Sequence, residues 1–217
     1  MRALLVIAAL ASVAHAGPTG RVVGTVKVTE SNGKPASGAD VIVYVVGVAE
    51  PRTAGPKVTV EQKGRKFVPD LIAVTVGDTV SFPNKDAFLH NVFSQSGTRK
   101  FDLGSFKKGD TKDKEFPTPG VVDVYCNIHP EMAATVLVLP NRRFARVGDD
   151  GRFTIAGVPP GRWTAFAYVR LAVRPGTAPV IVDAGAATTV ELEVTRGPEV
   201  EHRNKYHEHY REPGVYR

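Results

Sequence analysis

The chain has 217 residues and a formal net charge of +6, a length that suits two small β domains or one larger one. Residues 61–140 carry equal numbers of basic and acidic side chains, so the positive excess lies in the flanking segments. Nucleic-acid binding needs a concentrated basic face, and this charge distribution argues against it. The single cysteine, Cys126, excludes an internal disulfide and an iron–sulfur cluster.

The first sixteen residues predict a secretory signal peptide. Arg2 precedes an apolar run from Ala3 to Val13, and Ala14-His15-Ala16 has the small-residue pattern of a cleavage site. This run is too short to span a bilayer, and no later segment approaches the roughly 20 apolar residues that a spanning helix needs. We therefore expect cleavage after Ala16 and a periplasmic or secreted protein with no membrane span.

The remaining chain predicts an all-β protein with few helix signals. Short β-branched runs are separated by Gly, Pro, Asn and Asp, and turn signals such as Asn32-Gly33 and Asp150-Gly151 lie between them. This spacing is typical of β-sandwiches. The clearest runs are Arg21 to Val28, Asp40 to Val48, Leu71 to Val76, Thr135 to Leu139, Thr164 to Tyr168 and Thr188 to Val194.

Four side chains have the spacing of a metal site. Cys126, His129 and Met132 follow a C-x2-H-x2-M pattern, so one tight loop can present a thiolate, an imidazole and a thioether to one point. His90 lies in an apolar, strand-like run and can add a second imidazole from a neighbouring strand. One thiolate, two imidazoles and a weak axial thioether form the ligand set of a blue-copper electron-transfer centre, whereas structural zinc sites rarely accept a thioether.

The histidine count argues against a copper enzyme. The chain has six histidines, of which one leaves with the signal peptide, two belong to the predicted site and three lie near the C-terminus. A multicopper oxidase needs many more imidazoles for its trinuclear cluster, and a copper nitrite reductase needs a second histidine-rich site. No pair of carboxylates, nucleophile elbow or phosphate loop stands out, so we predict that the protein is not an enzyme.

Residues Val58 to Pro140 resemble a cupredoxin domain of the plastocyanin and amicyanin type. The likeness is carried by three motifs, and the short ligand loop is similar to that of amicyanin. The motifs are Phe67-Val68-Pro69 followed by Val74 to Phe82, Asn84 ahead of His90-Asn91-Val92, and Pro119-Gly120 ahead of Tyr125-Cys126-Asn127-Ile128-His129-Pro130-Glu131-Met132.

This resemblance implies a Greek-key β-sandwich with one type 1 copper ion per chain. It implies that the Asn91 side chain ties the ligand strand to the ligand loop, a contact of the kind that orients metal ligands. It also implies that the His129 imidazole is partly exposed and serves as the electron port, with Pro130, Phe88 and Leu89 as candidates for an apolar docking patch.

The function expected from these residues is that of a periplasmic blue copper protein that passes single electrons between redox partners. A c-type cytochrome or a periplasmic dehydrogenase would be such a partner. A second hypothesis stays open at this point: a copper carrier or sensor, or a surface-binding β-sandwich module in which copper is structural.

The segments on either side resemble two halves of a small carboxypeptidase-regulatory-like, or transthyretin-like, β-sandwich. Gly24 to Tyr44 is similar to the first half, and Asp149 to Ile155 with Val158 to Trp163 to the second. The prediction is a cupredoxin inserted into this module, a layout that resembles proteins labelled methylamine utilization proteins. Alternatively, the N-terminal strands extend the copper domain's own sheet. The predicted divisions are a signal peptide at 1–16, half-modules at 17–52 and 141–196, the cupredoxin domain at 53–140 and a tail at 197–217.

The predicted tail is polar and carries His202, His207 and His209. These histidines could bind a second metal. The tail could instead be mobile or lie as an extended segment on the flanking module.

Overall fold

The computed structural model describes residues 17–36, 38–51, 53 and 55–210, so the signal-peptide prediction falls outside the described residues. All helix or strand elements within these ranges are β-strands, which confirms the all-β prediction. In the same ranges no helix has the length and apolar character needed to cross a membrane.

The described residues form eighteen strands. In chain order they are β1 Gly20–Glu30, β2 Val41–Val46, β3 Val58–Thr59, β4 Glu61–Gln62, β5 Phe67–Val68, β6 Leu71–Thr75, β7 Thr79–Pro83, β8 His90–Ser94, β9 Phe101–Phe106, β10 Thr111–Glu115, β11 Gly120–Tyr125, β12 Ala133–Leu139, β13 Phe144–Arg146, β14 Arg152–Val158, β15 Gly161–Val169, β16 Ala172–Arg174, β17 Gly176–Val182 and β18 Ala187–Arg196.

Strands β3 to β12 form the central unit. Its main sheet has the order β6-β12-β11-β8-β9, its second sheet the order β10-β7-β3, and β4 pairs with β5. Both sheets contribute inward-facing apolar side chains to one core, including Phe82, Val92, Val122 and Val136, each fully buried. The pairing of β8 with β11 in the main sheet holds these strands side by side and so positions the loops at their ends.

Strands from the two ends of the chain form the flanking unit. Its sheets have the orders β14-β1-β18-β16 and β13-β2-β15-β17. Strand β1 pairs in parallel with β18, and β2 pairs with β13 and β15, so residues before the central unit bond to residues after it. The N-terminal strands thus complete the flanking sheets, not the central one, contrary to the alternative in which they extend it.

An apolar seam joins the two units. Ile42 of the flanking unit packs with Leu71, Leu137 and Leu139 of the central unit, and all four are buried. The Arg142 guanidinium, just after β12, lies 2.8 Å from the buried Asp78 carboxylate in the β6–β7 turn. The units are therefore held together by packing as well as by the two chain connections.

Candidate metal centre

The candidate ligands lie at one end of the central unit. His90 is the first residue of β8, and Cys126 directly follows β11. Because Tyr125 of β11 pairs with Phe93 of β8, the two chain segments run close together at this end. We call residues Cys126–Met132, which connect β11 to β12, the ligand loop.

Three donor atoms converge in the structure. The Nδ1 atoms of His90 and His129 are 3.1 Å apart, and they lie 3.9 Å and 3.8 Å from the Sγ of Cys126. A point in the plane of this triangle is roughly 2.1 Å from all three atoms, close to the usual metal–imidazole and metal–thiolate bond lengths. Among the described residues, these three side chains form the group of His, Cys, Asp and Glu whose ligand atoms lie close enough together to hold a metal ion. The donor set therefore fits a trigonal copper site with two nitrogen ligands and one sulfur ligand.

Met132 closes the ligand loop. Its side chain is fully buried in the same apolar cluster as Cys126. Its backbone carbonyl accepts a hydrogen bond from the Cys126 N–H at 3.2 Å, and its own N–H donates to the His129 carbonyl at 3.1 Å. These two bonds fold the loop tightly, as the short spacing predicts, and the axial role of Met132 stays a prediction.

A carboxylate orients the His90 ring. The Nε2 of His90 lies 2.8 Å from Asp86 Oδ2, so this carboxylate can accept the Nε2 proton while Nδ1 faces the other donors. Asp86 also accepts hydrogen bonds from the N–H groups of Gly64 and Arg65 at 2.8 and 3.0 Å. Burial acts to raise its pKa, but the bonds from Arg65, His90 and Gly64 outweigh it and lower the pKa of Asp86 to about 2.

The loop that carries Asp86 is itself fixed. Asn84 is fully buried, and its side-chain amide donates to the carbonyls of Phe88 and Phe106 at 2.9 and 3.0 Å. Its Oδ1 accepts the Asp86 N–H at 2.9 Å. Sequence reasoning missed Asp86, although a carboxylate four residues before a candidate ligand histidine was a signal that could have indicated it.

The thiol of Cys126 is buried, and burial raises its pKa. The Ile128 N–H donates to the sulfur at 3.4 Å, and this group, with the backbone N–H groups of Asn91 and His129, acts to lower the pKa. A bound metal ion would displace the thiol proton, and these N–H groups would then stabilise the thiolate charge.

The predicted role of the Asn91 side chain needs correction. Its amide donates to Asp102 Oδ1 on β9 at 2.8 Å, and its Oδ1 is buried with no hydrogen-bond partner. The backbone N–H of Asn91, in contrast, acts on the ligand loop by lowering the pKa of the Cys126 thiol. The sequence motif identifies Asn91, but it cannot show whether the side chain or the backbone of this residue acts on the ligand loop.

His129 is the more exposed of the two histidines. His90 is fully buried, whereas His129 is half-buried. Burial, followed by the electrostatic effect of His90, lowers the pKa of His129. Phe88 packs against both rings, with centroids 5.2 Å from His90 and 5.5 Å from His129.

The tail histidines do not assemble a second site among the described residues. His202 stacks on Tyr125 with centroids 4.0 Å apart, and His209 Nδ1 lies 3.3 Å from Glu201. His207 is exposed and adopts a positive φ of 65°. The segment that carries them contacts the central unit, where Gln95 bonds to Lys205 and Cys126 to Tyr210.

The fold and the donor cluster together define a cupredoxin, a β-sandwich protein suited to a type 1 copper ion. The sequence model of the family described as copper binding proteins, plastocyanin/azurin family, matches residues 54–139. Plastocyanin from Ulva arasakii is 35% identical over 72 residues, which cover 29% of this chain and 74% of that protein. The chain belongs to the plastocyanin/azurin family of copper-binding proteins.

Two solved structures are similar to part of this chain. A methionine-to-alanine mutant of amicyanin in its Cu(I) form is 25% identical, with a TM-score of 0.37, covering 45% of this chain and 98% of amicyanin. The Cu-containing nitrite reductase from Thermus scotoductus SA-01 is 27% identical, with a TM-score of 0.38, covering 45% of this chain and 26% of the reductase.

Proposed function

We propose that this protein is an electron carrier that holds one type 1 copper ion between His90, Cys126 and His129, with Met132 as the axial ligand. The convergence of the two Nδ1 atoms and the Sγ atom is the observation that carries the proposal. Bound copper supplies a one-electron couple between Cu(II) and Cu(I).

The protein's own residues keep the site in one geometry. Asp86 fixes the ring of His90, and the short ligand loop is closed by backbone hydrogen bonds at Cys126 and Met132. A site held in this way rearranges little when the charge of the metal changes, which favours electron transfer over copper release.

The surface around His129 supports the electron-port proposal. Phe88 and Leu89 are 41% and 53% exposed, although large apolar side chains are usually buried. Pro130 is exposed as well. We call Phe88, Leu89 and Pro130 the apolar patch. Such a patch beside a half-buried ligand lets a partner approach closely and exclude water.

Exposed basic residues lie on the loops around this patch. The β4–β5 turn carries Lys63, Arg65 and Lys66, with the Arg65 guanidinium 5.3 Å from the Phe88 ring centroid. The β7–β8 loop is bonded to this turn and to the β9–β10 turn. The Lys85 N–H donates to the Gln62 carbonyl, and the Asn84 N–H donates to the Asp110 carbonyl. These loops add the exposed side chains of Lys85, Lys107 and Lys108. We propose that the partner is a c-type cytochrome or a periplasmic dehydrogenase with acidic residues around its own redox centre.

The proposal extends to location and domain organisation. An N-terminal segment of signal-peptide type supports a periplasmic or secreted location. The strand pairing of β1 and β2 with strands that follow residue 140 supports a nested layout, with the cupredoxin domain at 53–140 between half-modules at 17–52 and 141–196. The assignment of these half-modules to a transthyretin-like family stays a prediction. We propose no catalytic reaction for the chain.

Copper exchange separates the electron carrier from a copper carrier. The copper-loaded protein is cycled between oxidised and reduced forms with ascorbate and ferricyanide, each time in the presence of a chelator for Cu(I). An electron carrier keeps its copper through the cycles and shows a reversible one-electron wave in voltammetry. Transfer of the copper to the chelator on reduction would contradict our proposal and favour a copper carrier.

Charge reversal tests the docking surface. In stopped-flow mixing with an acidic c-type cytochrome at low ionic strength, Lys66→Glu should slow electron transfer by about tenfold, because steering by surface charge changes association rates by 10–10³-fold. Lys34→Glu, an identical change at an exposed position of the flanking unit, is the matched control and should alter the rate little. Equal rates for both variants would rule out the basic docking surface.

A further inference from the structure

The segment that follows β18 packs on the ligand loop. We call residues Glu199–Tyr210 the tail segment. The hydroxyl of Tyr210 donates to the backbone carbonyl of Cys126 at 2.7 Å. The backbone N–H of Lys205 donates to Asn127 Oδ1 at 3.0 Å. The first two residues of the ligand loop are therefore bonded to the other end of the chain.

Aromatic packing extends this contact to β11. The imidazole of His202 stacks on the ring of Tyr125 at 4.0 Å with an interplanar angle of 21°. The ring of Tyr210 meets His202 edge-on at 5.3 Å. Tyr125 immediately precedes Cys126, so the tail segment contacts the chain on both sides of Cys126, at Tyr125 on β11 and at Asn127 in the loop.

The tail segment is anchored to both units. Glu199 pairs with Arg170 of the flanking unit, and Arg170 also lies 3.5 Å from Asp70 of the central unit. The Nζ of Lys205 lies 2.7 Å from Asp102 on β9, and the backbone carbonyl of Lys205 accepts a hydrogen bond from the Gln95 side chain at 3.2 Å. These contacts set where the segment lies before any metal binds.

A buried asparagine gives the tail segment its own shape. Asn204 is only 8% exposed, and its Oδ1 accepts the N–H groups of Tyr206 and Glu208 at 2.9 and 3.0 Å. Its backbone N–H donates to the Glu208 carbonyl, which closes a compact turn. The segment is thus a folded turn with specific contacts, unlike the mobile tail considered from composition.

We propose that the tail segment is a positioning element of the copper centre, which holds the ligand loop in its metal-binding geometry from outside. The loop presents three of the four proposed ligands, and its internal backbone bonds involve Cys126, His129 and Met132. The tail segment adds bonds at Cys126 and Asn127. A loop that is ordered before binding loses less conformational entropy when the ligands engage, and this raises metal affinity. The inference rests on the proposed copper ligation.

Two variants leave every residue of the ligand loop unchanged. Tyr210→Phe removes the hydroxyl and keeps the ring, whereas Asn204→Ala removes the bonds that shape the turn. Cu(I) affinity is measured by competition with a coloured chelator, and the Cu(II) site by its visible spectrum, electron paramagnetic resonance and reduction potential. Tyr206→Phe is the matched control, because that side chain is 64% exposed.

We expect Tyr210→Phe to weaken copper binding roughly three- to tenfold, the loss of one hydrogen bond. Asn204→Ala should weaken it about 10–100-fold, the usual range for groups that orient metal ligands. Both should change the copper hyperfine splitting and shift the reduction potential, and Tyr206→Phe should change neither. Wild-type values in both variants would overturn the inference and leave the electron-carrier proposal standing.

Hydrogen exchange of the metal-free protein makes the two proposals separable. The amides of Cys126, Ile128 and Met132 should exchange faster in Asn204→Ala than in the wild type, while amides of the flanking sheets keep their rates. This result supports the ordering of the ligand loop by the tail segment even if the wild-type protein binds no copper, which would itself refute the proposed function. Equal exchange of the ligand-loop amides in the two proteins would overturn the inference.

Discussion

The central and flanking units differ in their buried polar side chains. The core of the flanking unit consists of apolar side chains such as Val43, Phe153 and Ile155. In contrast, most of the buried polar side chains of the described residues lie in the central unit, and Asn84 and His90 are two of them at the end that holds the candidate ligands. Apolar packing is non-directional and tolerant of substitution, whereas buried polar groups require specific partners. Both units therefore gain stability from apolar packing, and the central unit adds the precise geometry of its buried polar groups.

The largest expected effect is a loss of stability, and it tests whether the flanking unit contributes to stability alone and not to the geometry of the copper site. Phe153 is 4% exposed in the flanking core, so Phe153→Ala should lower the free energy of unfolding by about 3–5 kcal/mol. The visible spectrum of the copper-loaded protein should stay unchanged in the folded state. Chemical denaturation followed by circular dichroism measures the loss.

A matched substitution in the central unit sharpens this test. Phe82 is fully buried in the core beneath the copper end, and Phe82→Ala should cost a similar free energy. Unlike Phe153→Ala, it should also alter the copper spectrum. If Phe153→Ala perturbed the spectrum as strongly as Phe82→Ala, the division of roles between the units would be wrong.

A smaller effect is expected at Asp78, which links the units. Its carboxylate accepts hydrogen bonds from Thr75 N–H, Gly55 N–H and Arg142, all at 2.8 to 2.9 Å. Burial acts to raise its pKa, but the bonds from Thr75 and Arg142 outweigh it, and the pKa lies below its ordinary value. Asp78→Asn should lower the free energy of unfolding by about 1.5–3 kcal/mol at neutral pH.

The pH dependence of this effect has a definite sign. Because the folded-state pKa of Asp78 is depressed, its stabilisation is fully present above the unfolded value of about 3.9. It is lost as the pH falls through the folded-state pKa, so the wild type and Asp78→Asn should converge in stability at low pH. Denaturation at a series of pH values checks this, and a difference that grows in acid would contradict it.

The smallest predicted change concerns the carboxylate behind His90. Asp86→Asn should weaken copper binding by about 10–100-fold, or roughly 1.4–2.7 kcal/mol, because it loses the charged acceptor that orients the His90 ring. The reduction potential should rise, since a negative charge near the site stabilises Cu(II) over Cu(I). Asp149→Asn, at an exposed position in the flanking unit, is the control. An unchanged potential would show that Asp86 does not act on the metal.

The sequence predicted the features that depend on local spacing. The C-x2-H-x2-M pattern identified the short loop that now brings Cys126 and His129 together, because few residues separate them. The alternation of β-branched runs predicted the sheets, since each strand needs only its own pattern of apolar residues. His90 could be added because its chemistry completes the donor set.

Features that depend on distant chain segments were not predicted. Asp86 forms hydrogen bonds with Gly64, Arg65 and His90, and these residues come together only when the loops pack in the folded protein. Tyr210 bonds to a residue that lies 84 positions earlier, which no local motif can indicate. Hydrogen bonds of this kind arise from tertiary packing, and the composition of a polar tail alone predicts mobility.

The most direct test of the central claim is the optical and paramagnetic response of the purified protein to Cu(II). We predict one equivalent of bound copper, an intense thiolate-to-copper absorption band and a type 1 resonance signal, all bleached by ascorbate and restored by oxidation. Cys126→Ser should abolish the band, because no other residue of the chain provides a thiolate. A wild-type protein that stays colourless, or a Cys126→Ser variant that stays blue, would contradict the assignment of the copper site.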